Sequence, residues 1–155
     1  MEFSQEDIIA RINGSREGSV WDSLDIRLVE AARDRIVATM PIGPNHRQQV
    51  GYLHGGISVV LAESVASLGS VLNIDAERQM AFGLEINANH LRPKRDGTLT
   101  GTATPVHLGR TTHVWDVKIT DENGKLICVS RCTVAVVDRP PDNGNVLMRD
   151  VPGSG

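Results

Sequence analysis

Aromatic residues and cysteines are scarce in this chain, and each scarcity excludes a class of site. Only 3% of the 155 residues are Phe, Trp or Tyr, so no aromatic cluster for stacking a flat ligand is visible. The two cysteines, Cys128 and Cys132, fall on one face of a predicted strand but too far apart to bond to each other. We expect two reduced core thiols. No Cys and His residues have zinc-ligand spacing, so neither a metal nor another cofactor is predicted.

Long apolar runs and a strong net charge are also lacking. No segment approaches the roughly 20 apolar residues that cross a bilayer. The acidic N-terminus lacks the basic start and apolar run of a secretory signal, so we expect a cytoplasmic protein. A net charge of -3 gives no reason to expect nucleic acid or a membrane as partner. With 40% hydrophobic and 23% charged residues, the chain has the composition of one globular domain.

The N-terminal part predicts a short helix and a hairpin. Ser4 and Asp7 form the pattern of a capping box, and the helix after them is expected to end near Gly14. Alternating apolar residues then predict two half-buried strands. The two strands cover 24–28 and 36–40, with a turn at 32–34 between them. A loop that carries Trp21 precedes the first strand.

The segment from His54 to about Ile74 is apolar or small almost all round and contains no proline. It is too long for a typical strand, and its pattern predicts a helix that is buried on most of its sides.

Turn residues divide the rest of the chain into four predicted strands, 80–91, 98–107, 111–120 and 125–137. Short turns such as Asp121–Gly124 require antiparallel neighbours, so we expect a meander. The predicted fold is α+β, with a curved antiparallel sheet wrapped around the long helix in a single domain over residues 1–137. A tail over 138–155, rich in Pro and Gly, is expected to be poorly ordered or to pack against a partner.

Glu63 is the one ionisable residue between His54 and Asp75. A carboxylate inside an apolar helix costs several kcal/mol unless it is hydrogen-bonded or faces a cleft. Buried carboxylates with a tuned pKa serve as acids, bases and nucleophiles. Two structural alternatives are an exposed helix edge and an ion pair with a buried base. Ser67, on the same helical face, is either a small packing residue or a group that orients the carboxylate or a water.

The sequence His54-Gly55-Gly56 opens the long helix. The first N–H groups of a helix lack internal partners and carry partial positive charge, and glycines let a substrate approach them. This arrangement suits a thioester oxygen that becomes negative in the transition state. A plain glycine-rich turn is the alternative, and Gln48 taken alone is an ordinary loop amide.

Taken together, Gln48, His54-Gly55, Glu63 and Ser67 resemble the active-site pattern of hotdog-fold thioesterases. The branch it resembles contains phenylacetate-pathway (PaaI-like) enzymes, glutamate-type 4-hydroxybenzoyl-CoA thioesterases and the proofreading thioesterase of enterobactin synthesis. The similarity covers roughly residues 20–137 and continues through GLEINANHLRP, GTLTGTATPVHLGRTTHVWDV and ITDENGKLI.

The resemblance implies an acyl-CoA thioesterase in which Glu63 is the nucleophile or the general base and Ser67 helps to place the attacking water. Gly55 N–H and the Gln48 side chain would polarise the thioester carbonyl, and His54 would contact substrate near it. Glu63 and Ser67 would come from one subunit and the other three residues from its partner. We therefore expect a homodimer with shared active sites, which pairs into a tetramer.

Coenzyme A also needs donors for its phosphates. Arg92 matches a family position at the nucleotide end, and further contacts are expected from a group of polar residues, each of which is otherwise a solvated or structural side chain. These are Lys94 or Arg95, Arg110 with Thr111, and His90.

By resemblance, the acyl group is expected to be aromatic or hydroxyaromatic. A hotdog dehydratase or hydratase is a competing hypothesis, since those enzymes also pair a His with an acid. It leaves Gln48 and Ser67 unused, and His54 is followed by Gly-Gly instead of the Phe-Pro-Gly of the carrier-protein dehydratases. A non-catalytic acyl-CoA-binding hotdog is the third possibility and predicts tight binding without turnover.

Overall fold

The computed structural model describes residues 4–140. Its helices and strands follow the order that the sequence predicts. The helices are α1 Gln5–Gly14, α2 Val20–Ser23 and α3 Gly55–Val71, with a 3-10 turn at Pro44–His46. The strands are β1 Arg27–Ala32, β2 Arg35–Pro41, β3 Gln79–His90, β4 Thr98–Leu108, β5 Thr112–Thr120 and β6 Leu126–Asp138.

The six strands form one antiparallel sheet in the order β1-β2-β4-β5-β6-β3. Helix α3 packs across one face of this sheet. Its buried side, which includes Leu61, Ala62, Val65 and Ala66, joins the hydrophobic core. The predicted α+β architecture is confirmed.

The predicted meander is wrong for β3. This strand precedes β4 in the chain but pairs with β6 at the far edge of the sheet. The segment between β3 and β4 crosses the end of the sheet through backbone hydrogen bonds. Leu91 N–H donates to Ile127 (2.8 Å), the Lys94 carbonyl accepts from Leu53 (2.7 Å), and the Gly97 carbonyl accepts from Ile42 (2.8 Å). Turn residues mark where a strand ends, but they do not specify which strand becomes its neighbour.

The outer edge of β3 is open in the described chain. Phe82 and Leu84 on this strand are 51% and 68% exposed. A bulge between Gly83 and Glu85 shifts its register with β6. An apolar, unpaired strand edge of this length is a surface that proteins normally cover.

The N-terminal segment differs from its prediction at two places. The capping box is present, since Asp7 N–H donates to Ser4 Oγ (3.1 Å) and Ser4 N–H donates to Asp7 (3.2 Å). Trp21, however, lies in helix α2 and not in a loop. Strand β1 begins only at Arg27, because Ile26 N–H still bonds the Trp21 carbonyl (2.8 Å) and closes the α2 turn.

Helix α3 packs tightly against β5 at Gly69. A Cβ on Gly69 would lie 2.6 Å from the Trp115 ring, and Trp115 Nε1 donates to Ser70 Oγ at 2.8 Å. The helix is therefore fixed over β5 by both contact and hydrogen bond.

Cys128 and Cys132 are free and buried on β6, as predicted. Strand β6 ends at Asp138, and residues 141–155 of the predicted tail lie outside the described residues, so the domain limits stay a prediction. Among residues 4–140, no helix is long and apolar enough to cross a membrane.

Candidate active site

His54 is the N-cap of α3. Its Nδ1 accepts a hydrogen bond from Gly56 N–H at 2.9 Å, so a neutral ring carries its proton on Nε2. Gly55 follows as the first helical residue. Its N–H has no partner within the helix and forms no hydrogen bond among the described residues. The helix therefore begins with a free donor beside an imidazole N–H.

The Gln48 carboxamide has a fixed orientation. Its Oε1 accepts from Val50 N–H at 2.7 Å, which turns its NH₂ group away from the backbone of this turn. The loop is closed by two further bonds, from Gln48 N–H to the Tyr52 carbonyl (2.8 Å) and from Gly51 N–H to the Gln48 carbonyl (2.9 Å). Gln48 is thus presented as a hydrogen-bond donor, which is the role that a carbonyl substrate requires.

His90 at the end of β3 lies directly against Gly55. A Cβ on Gly55 would be 2.8 Å from His90 Nε2, so glycine is required there by space. The two residues line a cavity of about 380 Å³ together with Gln48, Arg92 and Lys94. Four of the predicted polar residues therefore line the same cavity as the first residue of α3.

Glu63 and Ser67 line a different and larger cavity of about 600 Å³. Within residues 4–140, the Glu63 carboxylate has neither a hydrogen bond nor an ion pair, so the alternative of a buried salt bridge is wrong there. Its side chain is half-buried and faces the cavity. Helices α1 and α2 and the loop between them supply the opposite wall. Sequence reasoning did not find this wall, because a tertiary contact between remote segments leaves no local pattern. The wall includes Ile12, Arg16, Val20 and Trp21.

Glu63 also has an ionisable neighbour. Burial raises the pKa of the Cys132 thiol to about 12, and the negative charges of Glu63 and Glu85 contribute to the increase. Cys132 is therefore a protonated thiol at neutral pH and no competing nucleophile.

One chain does not bring the two halves of the predicted site together. Gly55 and Glu63 lie eight residues apart on α3, which is about 12 Å along the helix axis at 1.5 Å per residue. They line separate cavities, with the donors Gln48 and Gly55 in one and the carboxylate in the other.

The predicted phosphate-binding residues are likewise divided. Arg92 donates to the Leu126 carbonyl at 2.6 Å, near the end of β3. Arg110 and Thr111 form the β4–β5 turn, at the end of the sheet where β3 begins. Strand β5, which separates these ends, spans roughly 27 Å at 3.4 Å per residue.

Lys94 has carboxylate partners. Its Nζ lies 2.7 Å from Glu122 and 3.5 Å from Asp121, and the hydrogen bond to Glu122 raises the pKa of the lysine. The neighbouring Arg95 stacks at 4.1 Å over the Tyr52 ring, a pair that sequence reasoning missed. A phosphate-binding role for Lys94 stays a prediction. In the structure its positive charge is already paired with the carboxylates of Glu122 and Asp121.

Comparison with known proteins places this arrangement in a family. The sequence profile of the Thioesterase superfamily matches residues 50–128. The 1,4-dihydroxy-2-naphthoyl-CoA hydrolase of Escherichia coli is 42% identical over 137 residues, covering 88% of this chain and 100% of the relative. The enzyme of the same name from Listeria monocytogenes is 47% identical, covering 74% and 93%.

The chain belongs to the Thioesterase superfamily. Solved structures agree: a mutant thioesterase from Pseudomonas aeruginosa superposes with a TM-score of 0.82 at 44% identity, covering 84% of this chain and 94% of that one. A thioesterase from Haemophilus influenzae gives 0.81 at 40% identity, covering 92% and 96%. The predicted hotdog fold and the predicted thioesterase are both confirmed.

Proposed function

We propose that this thioesterase hydrolyses an aromatic, hydroxylated acyl-CoA and that Glu63 is its nucleophile or general base. The observation that carries the proposal is a half-buried carboxylate without a polar partner in the described chain, facing a large cavity beside Ser67. A carboxylate that no other group engages is available to attack an electrophilic carbon or to accept a proton from water.

The chemistry of the cavity supports the proposed acyl group. Its apolar wall is suited to an aromatic ring, and its hydroxyl groups are suited to ring hydroxyls. Its volume of about 600 Å³ lies within the usual range of small-molecule sites. The apolar residues are Ile12, Val20, Trp21, Val60, Leu68 and Val71, and the hydroxyls belong to Ser15, Ser19, Ser64 and Ser67. The two relatives named 1,4-dihydroxy-2-naphthoyl-CoA hydrolase support a hydroxylated, two-ring substrate.

A second copy of the chain completes the site in this proposal. Two β3 edges that pair antiparallel about a twofold axis bring the His90 end of one strand beside the Gly83 end of the other. Gly55 packs against the first end and Glu63 against the second. The exposed Phe82 and Leu84 side chains support burial of this edge. A pairing of two such dimers into a tetramer is part of the same proposal.

The reaction then follows from the donors and the carboxylate. The thioester oxygen accepts hydrogen bonds from Gly55 N–H and the Gln48 NH₂ group, which stabilise the negative charge that develops on it. Glu63 either attacks the carbonyl carbon, giving a mixed anhydride that water hydrolyses, or removes a proton from water placed by Ser67. Both routes break the C–S bond and release free acid and the CoA thiol. In the proposed site, His54 contacts the substrate near the thioester or the leaving group, with Nε2–H as its donor.

The same dimer unites the proposed CoA-binding residues. Arg92 lies at the end of β3 and Arg110 with Thr111 near its beginning, so antiparallel pairing places Arg92 of one chain near the other two residues of its partner. Arginine side chains and a hydroxyl at one rim suit the phosphates of CoA.

The test is a thiol-release assay with benzoyl-, hydroxybenzoyl-, phenylacetyl-, 1,4-dihydroxy-2-naphthoyl- and straight-chain acyl-CoAs. We expect kcat/KM to be highest for the hydroxylated aryl substrates. A preference for straight-chain substrates contradicts the proposed acyl group. Hydration of crotonyl-CoA without thiol release would instead indicate a hydratase.

Glu63→Ala tests the catalytic assignment. We expect turnover to fall by at least about 1,000-fold, because removal of a catalytic nucleophile or base commonly costs that much. Fold and oligomeric state, measured by circular dichroism and light scattering, should be preserved. Near-normal turnover by this variant contradicts the proposal.

A further inference from the structure

Gly83 lies on β3 directly opposite the Glu63 carboxylate. A Cβ built on Gly83 would overlap Glu63 Oε1 and would lie 3.1 Å from its Cδ and 3.7 Å from its Cγ. The closest atoms to that position thus all belong to the one carboxylate side chain. Any residue other than glycine would therefore have to displace the carboxylate.

The backbone does not explain the glycine. Gly18, Gly51, Gly97 and Gly124 have positive φ angles, and Gly83 is not among them. The β-bulge that follows Gly83 changes the register with β6, but Gly83 itself pairs with Val134 as an ordinary strand residue. An alanine is thus compatible with the strand and incompatible with the carboxylate.

The carboxylate has few other restraints on its position. It forms neither a hydrogen bond nor an ion pair within the described residues, it lies near the Cys132 thiol, and its open side faces the cavity. Contact with the β3 backbone at Gly83 therefore restricts which rotamers Glu63 can adopt.

We propose that Gly83 is a positioning residue for Glu63: its missing side chain leaves the space in which the carboxylate lies at its reacting position. This inference rests on the proposed catalytic role of Glu63. It adds a residue that touches neither the substrate carbonyl nor the donors and still sets the approach of the carboxylate. The bulge is the means by which β3 presents Gly83 to α3 at one end and His90 to Gly55 at the other.

The first experiment compares Gly83→Ala with a matched control, Gly101→Ala. Gly101 also faces α3, where its Cβ would meet Leu61 atoms at 3.0 to 3.4 Å, two residues before Glu63 but without contact to the carboxylate. Both variants press one methyl group onto the same helix. We expect Gly83→Ala to lower kcat by about 100-fold with KM within about twofold, since misplacement of a reacting group by 1 Å costs that much. Gly101→Ala should keep kcat within about threefold.

The second experiment uses a shorter carboxylate. Glu63→Asp withdraws the carboxylate by one methylene and leaves room for a methyl at position 83. We expect Gly83→Ala to cost about 100-fold beside Glu63 and less than about threefold beside Asp in the double variant, which is a coupling that a purely structural role would not produce. A crystal structure of Gly83→Ala gives a readout independent of turnover and should show the carboxylate displaced from strand β3.

The outcomes separate this inference from the proposed function. Wild-type kcat in Gly83→Ala, a loss equal to that of Gly101→Ala, or an unmoved carboxylate overturns the role of Gly83. If Glu63→Ala is inactive in the same assays, the catalytic assignment stands regardless of those results. If Glu63→Ala is active, the proposed function fails first.

Discussion

Single side chains hold the donors of the site in place, and Gln48 shows how. Val50 N–H must meet an oxygen, so the oxygen of the carboxamide is fixed toward the backbone and the NH₂ group is free for substrate. Gln48→Glu keeps that bond and replaces the proposed donor with a negative charge at the proposed oxyanion site. We expect kcat/KM to fall by about 100- to 1,000-fold, as on removal of an oxyanion donor. Steady-state thiol release measures it. Gln49→Glu, its exposed neighbour, is the control and should remain near wild type.

Cysteine reactivity is a second property of individual residues. The pKa of Cys132 is raised to about 12 and that of Cys128 is raised as well, both mainly by burial. At pH 8 the Cys132 thiolate is only about one part in 10,000, and the thiolate is the reactive form. We expect no rapid labelling of the native protein by a disulfide reagent such as DTNB, and labelling of both thiols in denaturant. Fast reaction of the native protein at pH 8 would contradict the burial of β6.

At the level of elements, the packing of α3 against β5 contributes to the stability of the fold. Gly69 has no room for a methyl group under the Trp115 ring, so Gly69→Ala should lower the free energy of unfolding by about 1–3 kcal/mol. Urea denaturation followed by tryptophan fluorescence measures the change. Gly14→Ala is the comparison, because nothing lies within 4 Å of its added carbon. An equal effect of both substitutions would show that the Trp115 contact contributes nothing.

The turn between β5 and β6 gives the sheet a pH dependence. Asp121 accepts backbone hydrogen bonds from Asn123 and Lys125, both at 2.9 Å, and the bond from Lys125 is the main cause of its lowered pKa. A carboxyl with a lowered folded-state pKa stabilises the fold above its unfolded pKa and loses that contribution as pH falls through the folded value. Wild type should therefore be more stable than Asp121→Asn at pH 7. The difference in thermal midpoint should shrink below about pH 4, and a pH-independent difference contradicts this.

How much the sequence predicts is clearest at the level of elements. The bounds of α3 and of β4 to β6 were predicted within a few residues, because Gly, Pro and Asn mark their ends. The position of β3 at the sheet edge was not predicted, since strand order depends on which edges pair across the chain. The candidate site shows the same contrast between features with a local sequence pattern and features that depend on tertiary contacts. Glu63 was visible as a charge in an apolar helix, whereas Gly83 and the wall at Trp21 depend on contacts between segments far apart in sequence.

Hybrid dimers of two variants test whether each active site is shared between two chains. Co-expression of Glu63→Ala with Gln48→Glu chains should give hybrid dimers in which one of the two sites has both an intact carboxylate and an intact amide. Random pairing makes half of the dimers hybrid, so we expect about one quarter of wild-type activity from two variants that are each inactive. Differently tagged chains allow the hybrids to be purified and assayed. An inactive hybrid would show that both residues serve a site within one chain.

The fixed length of helix α3 has a further consequence. In the proposed dimer, its first residue serves one active site and its ninth residue serves the other, with about 12 Å of rigid helix between them. A residue inserted or deleted between Gly55 and Glu63 would rotate the carboxylate by about 100° around the helix axis and disable both sites at once. The same change after Val71 would alter only the loop that leads to β3. Length variation in this enzyme is therefore tolerated in the loop after Val71 and forbidden within that nine-residue stretch.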